Sequence, residues 1–466
     1  MVFLIKEGTS LAWAGTEFNG IDLGDKRLNK RAVKLLDTFS EKPTLSIPGA
    51  CNGWGETQAA YRFLAHDDIT WADILAPHQK KTHARIREHA VALCIDDTTE
   101  LDFNGQQIDG LGRLSYDAQR GMYLHPTYVV TPQRVPLGLL NVQMWAREVK
   151  IAEGEKEGEQ PETSAKKKES SRWIKGYEHV ATLAETEAMK ATRLVYITDR
   201  EGDIMELMTT ARDRGNPADW LIRSQHNRVL PEQEKLWATV EVQAPIAEIC
   251  FALKSRRKGN KKDARKARPV RQQIFVKRVA LPDGKGGTVQ ASCIIAKEID
   301  LPVGEEAVVW RLLTNRDVPT QEAALELIDW YRARWEIEML FDVFKNGCRV
   351  EALQLSTIDR VECALALYLI VAWRIAHLMR MGRICPDMDA RLLFDPEEVQ
   401  AAYLLSKKPL PKSPPRLDDV IRLIAGLGGF LGRKSDGDPG AKTLWIGLQR
   451  LVDFIAGMHA VRESCV

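Results

Sequence analysis

VALCIDDTTELDF, residues 91–103, is the stretch on which the fold turns: an apolar run ends abruptly in two acids and two threonines. The apolar run VALCI reads as a short strand. RLVYITDREGD, residues 193–203, repeats the plan, a β-branched and apolar strand that delivers Asp199 at its carboxyl end. Functional groups in α/β folds sit at such strand ends, so two strands of this kind can aim Asp97 and Asp199 at one point. Each acid taken alone also reads as a turn former or a helix N-cap.

Working outward, YVVT after Pro126 and LGLLNVQMWAREV from Leu137 read as further strands, and a helix-like run at 172–189 precedes the Asp199 strand. Alternating strands and helices predict an α/β domain. The Glu- and Lys-rich segment 151–171 reads as a surface linker or disordered loop. Between 219 and 315 a β-rich block carries WLIRS, WATVEVQ, ICFALK, QQIFVKRVAL, VQASCIIAKEI and AVVWRLLTN, separated by turn residues, and looks like an inserted subdomain. Helices flank this core. Upstream they are expected at 27–39 with Asp25 as N-cap, at 56–64, and at 71–88 with a kink or break at Pro77. Downstream the chain is helical from Gln321, with a Pro-rich break at 409–415 and a last helix at 443–458.

The 466 residues predict two or three domains. With 66 Lys and Arg against 64 Asp and Glu, net charge gives no global signal for a nucleic-acid partner, so any such signal is local. Eight Cys are scattered singly, without a CxxC pair or Cys/His zinc spacing, which predicts neither a disulfide frame nor structural zinc and points to a reducing cytoplasm. MVFLIKEGTS lacks the apolar length of a secretion signal. The most apolar run, 363–372, is too short to span a bilayer and reads as a buried helix.

DWYRARWEIEMLFDVFKNGCRVE, residues 329–351, supplies a third acid. Taken as one helix at about 100° per residue with Tyr331 at zero, Arg334 falls near roughly 300°, Lys345 near roughly 320° and Glu338 near roughly 340°. One face then carries phenol, guanidinium, carboxylate and ammonium, with Glu336 on the far side. A chain of intrahelical ion pairs is the plainer reading of that face. Three carboxylates, Asp97, Asp199 and Glu338, from two strand ends and a helix suit a pair of Mg2+ ions, hard cations that take oxygen ligands and leave positions open for water and phosphate. Arg334 and Lys345 suit a phosphate.

LKSRRKGNKKDARKARPVR, residues 253–271, holds ten basic residues and one acid. Lying between two expected strands, it reads as a hairpin loop whose Arg256, Arg257, Lys258, Lys261, Lys262, Arg265, Lys266 and Arg268 can follow a DNA backbone without reading sequence. Trp310, in VVWRLL, reads as a core aromatic or as a stacking platform for an unpaired base.

These motifs resemble those of the bacterial DDE transposases of the Tn5/IS4 insertion-sequence family. IDDTT around Asp97, DREGD around Asp199 and the Tyr, Arg, Glu, Lys signature at Tyr331, Arg334, Glu338 and Lys345 carry the resemblance. LGDKRLNKRAVKL, AAYRFL, RSQHNR from Arg223 and GGFLGRKSDG support it along nearly the whole chain. The resemblance implies a ribonuclease H-like core with a β insertion between the second Asp and the Glu. It also implies a helical region at 1–70 that recognises transposon ends, a catalytic domain at 71–374, and a helical dimerisation region at 375–466. It implies Mg2+, with Mn2+ as substitute, and DNA ends and target DNA as partners of a homodimer that does not enter membranes. The implied chemistry is hydrolysis of one strand, a hairpin formed by the freed 3′-OH, and joining to target DNA. Tyr331, Arg334, Lys345 and Arg223 would bind DNA phosphates and Trp310 would stack in place of a flipped base. A departure is Glu336, an acid where some relatives carry a basic residue. A nuclease of the same fold without strand transfer and a DNA-binding protein without cleavage are the competing expectations.

Overall fold

The computed structural model describes residues 13–116, 118–147, 161–253 and 267–464. The chain opens with helices α1 (Trp13–Glu17), α2 (Lys26–Glu41), α3 (Ile47–Ala50), α4 (Trp54–Leu64) and α5 (Trp71–Ile86). Strands β1 (Val91–Asp96), β2 (Thr99–Asp102), β3 (Gly112–Arg113), β4 (Arg120–Val130) and β5 (Pro136–Trp145) follow. Then come α6 (Pro161–Ala184), β6 (Arg193–Thr198), α7 (Met205–Asp213), β7 (Asp219–Arg223) and α8 (Leu236–Glu241). Four strands form the next stretch, β8 (Ala247–Leu253), β9 (Arg268–Pro282), β10 (Thr288–Ile299) and β11 (Val309–Thr314). The remainder is helical: α9 (Gln321–Arg332), α10 (Trp335–Asp342), α11 (Ile358–Ile384), α12 (Pro396–Leu405), α13 (Leu417–Leu427) and α14 (Ala441–Ser464).

Two compact units share this chain, one from Met1–Glu88, Thr98–Glu155 and Trp335–Val466, the other from His89–Asp97 and Lys156–Arg334. In the first unit β4 pairs antiparallel with β2, β3 and β5. Its helices obey the signals in the sequence. Asp25 caps α2 by accepting the Arg27 N–H at 2.7 Å, and Ala32, Leu35, Leu36 and Phe39 form the buried stripe. Thr70 and Asp73 build a capping box at the start of α5, which runs on through Pro77 as one helix. The core of the unit is α11. Every residue from Cys363 to Ala372 is buried, which is why a helix long and apolar enough to cross a bilayer is an interior element here.

In the second unit β1, β6 and β7 run parallel, and β11, β10, β9 and β8 continue the sheet antiparallel from β7. The architecture is a mixed α/β, ribonuclease H-like core with a β-rich insertion after β7 and helices at both ends of the chain.

Four expectations are corrected. WATVEVQ is not a strand. It contributes to α8, where Leu236, Thr239 and Val240 are the buried positions, so three-and-four spacing overrides β-branched composition. The strand at Tyr128 begins earlier, at Arg120, and passes through Pro126. Helix α6 starts at Pro161, inside the segment read as a linker, because proline is at home in a first helical turn and Glu, Ala and Lys are strong helix formers; residues 151–160 lie outside the described residues. The helix read across Tyr331 to Lys345 is three pieces. α9 tightens at its end, with the Arg334 N–H on the Tyr331 carbonyl at 3.1 Å; α10 is separate; and Val343–Gly347 is a π-turn closed by Cys348 N–H on Val343 O at 2.8 Å. The 100° progression therefore does not hold across the four signature residues.

Candidate active site

Strand register sets the first two acids. Ile95 of β1 pairs with Ile197 of β6, and Thr198 pairs with Ile222 of β7, both ladders parallel. Two residues past the first pair, Asp97 and Asp199 leave neighbouring strands at one level; one residue past the second, Arg223 leaves β7 level with Asp199. All three are half-buried.

Their partners come from distant sequence. Asp97 Oδ2 accepts a charged hydrogen bond from Arg334 Nη1 at 2.5 Å, bridging 237 positions. Asp199 Oδ1 accepts the Glu201 N–H at 2.8 Å and so caps the short 3-10 turn Arg200–Gly202, the N-cap reading of its sequence. Tyr331 is buried beside these groups. Burial pushes its hydroxyl up from the usual phenol range, while the Arg334 and Arg223 guanidiniums oppose that shift by favouring phenolate.

One acid of the IDD motif was passed over by sequence reasoning. Asp96 points to the opposite face from Asp97, as strand alternation requires, and is fully buried. The Tyr196 hydroxyl lies 2.8 Å from Asp96 Oδ2 and 2.8 Å from the Trp173 carbonyl, sharing one proton between two acceptors. Gly176 of α6 packs so closely here that a Cβ would stand 2.0 Å from Asp96 Oδ2. Tyr196→Phe is expected to cost about 1–3 kcal/mol, because it withdraws a donor from a buried carboxylate. A lowered urea midpoint at unchanged slope is the expected reading, and a midpoint equal to the parent's would show the contact to be neutral.

In the other unit, Glu338 is half-buried in the first turn of α10. Glu336 is buried and takes a two-point ion pair from Arg380, with Nε to Oε2 at 2.8 Å and Nη2 to Oε1 as the second contact. Burial raises its carboxyl, and Arg380 pulls it back. Glu336 is thus a packing partner of α11 and does not stand as an open charge. Lys345 donates to the Glu100 carbonyl and lies 3.5 Å from Glu351.

Trp310 is half-exposed on β11 and stacks on Phe251 of β8 at 5.8 Å between ring centroids and 14° between planes. Arg256, Arg257, Lys258, Lys261, Lys262, Arg265 and Lys266 lie outside the described residues. Arg268, the last of the eight basic residues named above, is the first residue of β9 and pairs with Glu298, Nη2 to Oε2 at 3.0 Å.

Among the described residues no three His, Cys, Asp or Glu side chains already stand together as an ion cage. The donor chemistry nonetheless fits a hard divalent ion: two carboxylates emerge side by side, and one of them already holds a cationic group, the Arg334 guanidinium.

Three family models match consecutive parts of the chain. Transposase DNA-binding covers residues 10–69, transposase DDE domain 174–374, and transposase Tn5 dimerisation domain 370–465. The DDE span includes Asp199 and Glu338 and starts downstream of Asp97. Among solved structures, a piggyBac transposase synaptic complex with hairpin DNA aligns over 95% of this chain and 80% of that one, at 8% identity and a TM-score of 0.35, too loose a likeness to carry an argument. The matched order of DNA-binding, DDE and dimerisation segments, on a chain whose acids end neighbouring parallel strands, is that of an enzyme that cuts and joins DNA: the chain belongs to the DDE transposases of the Tn5/IS4 type.

Proposed function

We propose that the chain is a cut-and-paste transposase that binds two inverted DNA ends as a homodimer, opens them through a hairpin intermediate and joins the 3′-OH ends to target DNA. The observation that supports this most is the level exit of Asp97, Asp199 and Arg223 from β1, β6 and β7, with Arg334 on Asp97. By resemblance Glu338 completes the acidic set. Asp97, Asp199 and Glu338 would hold two Mg2+ ions, or Mn2+ in their place, which when bound activate the attacking oxygen and stabilise the leaving one.

The chain's own groups have distinct tasks in this reading. Arg223 and Arg334 grip phosphate oxygens with planar forks. Tyr331 donates its phenol hydroxyl to a further phosphate oxygen. Lys345, steadied by Glu100 and Glu351, adds a point charge. Trp310 stacks the base that leaves the helix when the hairpin forms, at a benefit of about 1–3 kcal/mol per base. The basic residues between 256 and 268 follow the backbone. Residues 1–70 recognise the ends, 71–374 catalyse with an insertion at about 219–315, and 375–466 dimerise. The site of action is the bacterial cytoplasm, at the nucleoid.

The test is cleavage and strand transfer on duplexes carrying the DNA ends that flank the gene, with Mg2+ or with EDTA, for the parent and Asp97→Ala. Hairpins and joined products that need the metal and vanish in the variant are the expected result. Cut but unjoined DNA would point to a nuclease, and specific binding without any product to a DNA-binding protein.

A further inference from the structure

Asp203 is a buried acid for which the proposed reaction has no use. It closes the short turn that follows Asp199, and its side chain is wholly inaccessible. A carboxylate so placed is costly unless its oxygens are met. All its partners come from a single segment that starts beyond β7. Oδ2 accepts the backbone N–H groups of Gln225 at 2.7 Å and His226 at 2.8 Å, and Oδ1 pairs with Arg228 Nη1 at 2.6 Å. Arg228 Nη2 also donates to the Asp203 carbonyl at 3.1 Å.

The rest of the segment is held from the other side. The Ser224 N–H donates to the Arg311 carbonyl at 2.8 Å, and Ser224 Oγ accepts from Trp237 Nε1 at 3.2 Å. Asn227 Oδ1 accepts the Trp237 N–H at 3.0 Å, and Arg311 lies over the Trp237 ring at 4.1 Å. With the inner groups consumed this way, the side chains of Gln225 and His226 are left exposed, two and three residues after Arg223. The strap therefore ties the residue four places after Asp199 to the turn that directly follows Arg223.

We propose that Asp203 is a positioning residue for DNA: with Arg228 it locks the 224–228 turn so that Arg223 and the exposed Gln225–His226 edge meet the phosphates next to the cleaved bond. The inference rests on the reading of Arg223 as a phosphate ligand. Asp203 touches neither the DNA nor the reacting atoms; its effect passes through the turn.

The experiment uses the full chain and duplexes carrying its own terminal ends, each with one neutral methylphosphonate walked through the phosphates around the cut. Parent, Arg223→Ala, Asp203→Asn and the Asp203→Asn/Arg228→Gln pair are compared. The double variant removes both buried charges together, so it stays informative where the single one folds poorly. In the parent, neutralising a phosphate held by Arg223 or by the turn is expected to cost about tenfold in affinity. In both Asp203 variants that penalty collapses to under about twofold at those phosphates alone, while penalties elsewhere persist. A uniform loss at every phosphate, or penalties unchanged from the parent's, overturns the positioning role. An Arg223→Ala protein with the parent's full pattern overturns the phosphate reading of Arg223 itself, and the inference with it.

Discussion

Glu338→Gln is expected to slow end cutting by roughly 10³- to 10⁴-fold while leaving affinity for the terminal ends within about twofold of the parent's. The carboxamide keeps the shape and one oxygen, so the first turn of α10 has no steric reason to change. What it loses is the negative charge, and the stabilisation at stake where charge builds on a transferring phosphoryl group is several kcal/mol. Single-turnover cleavage beside a gel-shift titration separates the two effects. Equal losses in binding and cutting would make Glu338 a structural residue, and undiminished cutting would remove it from the reaction.

The second large effect is on stability. Arg380→Ala should cost about 3–5 kcal/mol, because it takes away the two-point hydrogen-bonded partner of Glu336, a carboxylate only 4% exposed. Replacing both partners, as in Glu336→Gln/Arg380→Met, should restore most of the loss, since a matched pair of uncharged groups carries no such penalty. Hydrogen exchange of the α10 and α11 amides is the suitable readout, because it follows this unit separately from the other. An Arg380→Ala protein with parental protection in both helices would mean that the pair contributes nothing.

The two variants also mark what could be read from the chain. Asp97 and Asp199 were legible because the signal is local: an apolar, β-branched run that stops at an acid fixes both the strand and its end. The same holds for Asp25, which caps α2 from the next residue but one. Partners were not legible. Nothing near Asp97 announces Arg334, and nothing near Glu336 announces Arg380, because these pairs close over 237 and 44 positions. The break between α9 and α10 is not legible in the sequence because Ala333 and Arg334 are good helix formers, so propensity favours continuation where the local hydrogen bonds do not. Asp203 was in view within DREGD, yet a turn acid and a buried strap look alike until the Gln225 and His226 amides are seen to meet it.

The interior position of α11 bears on how this polypeptide can be made and divided. Phe39 of α2 stacks on Tyr368 at 4.9 Å, Arg85 of α5 lies over Trp373 at 4.2 Å, and Arg374 covers Trp13 at the same distance. Helices synthesised first are thus completed by one that arrives some three hundred residues later. The N-terminal helices must wait through most of translation with apolar stripes uncovered, a state that favours slow folding and capture by chaperones. A gene fragment that stops before residue 358 would encode the DNA-binding segment without the helix that its own helices pack on, so that segment is not expected to fold as a self-sufficient cassette.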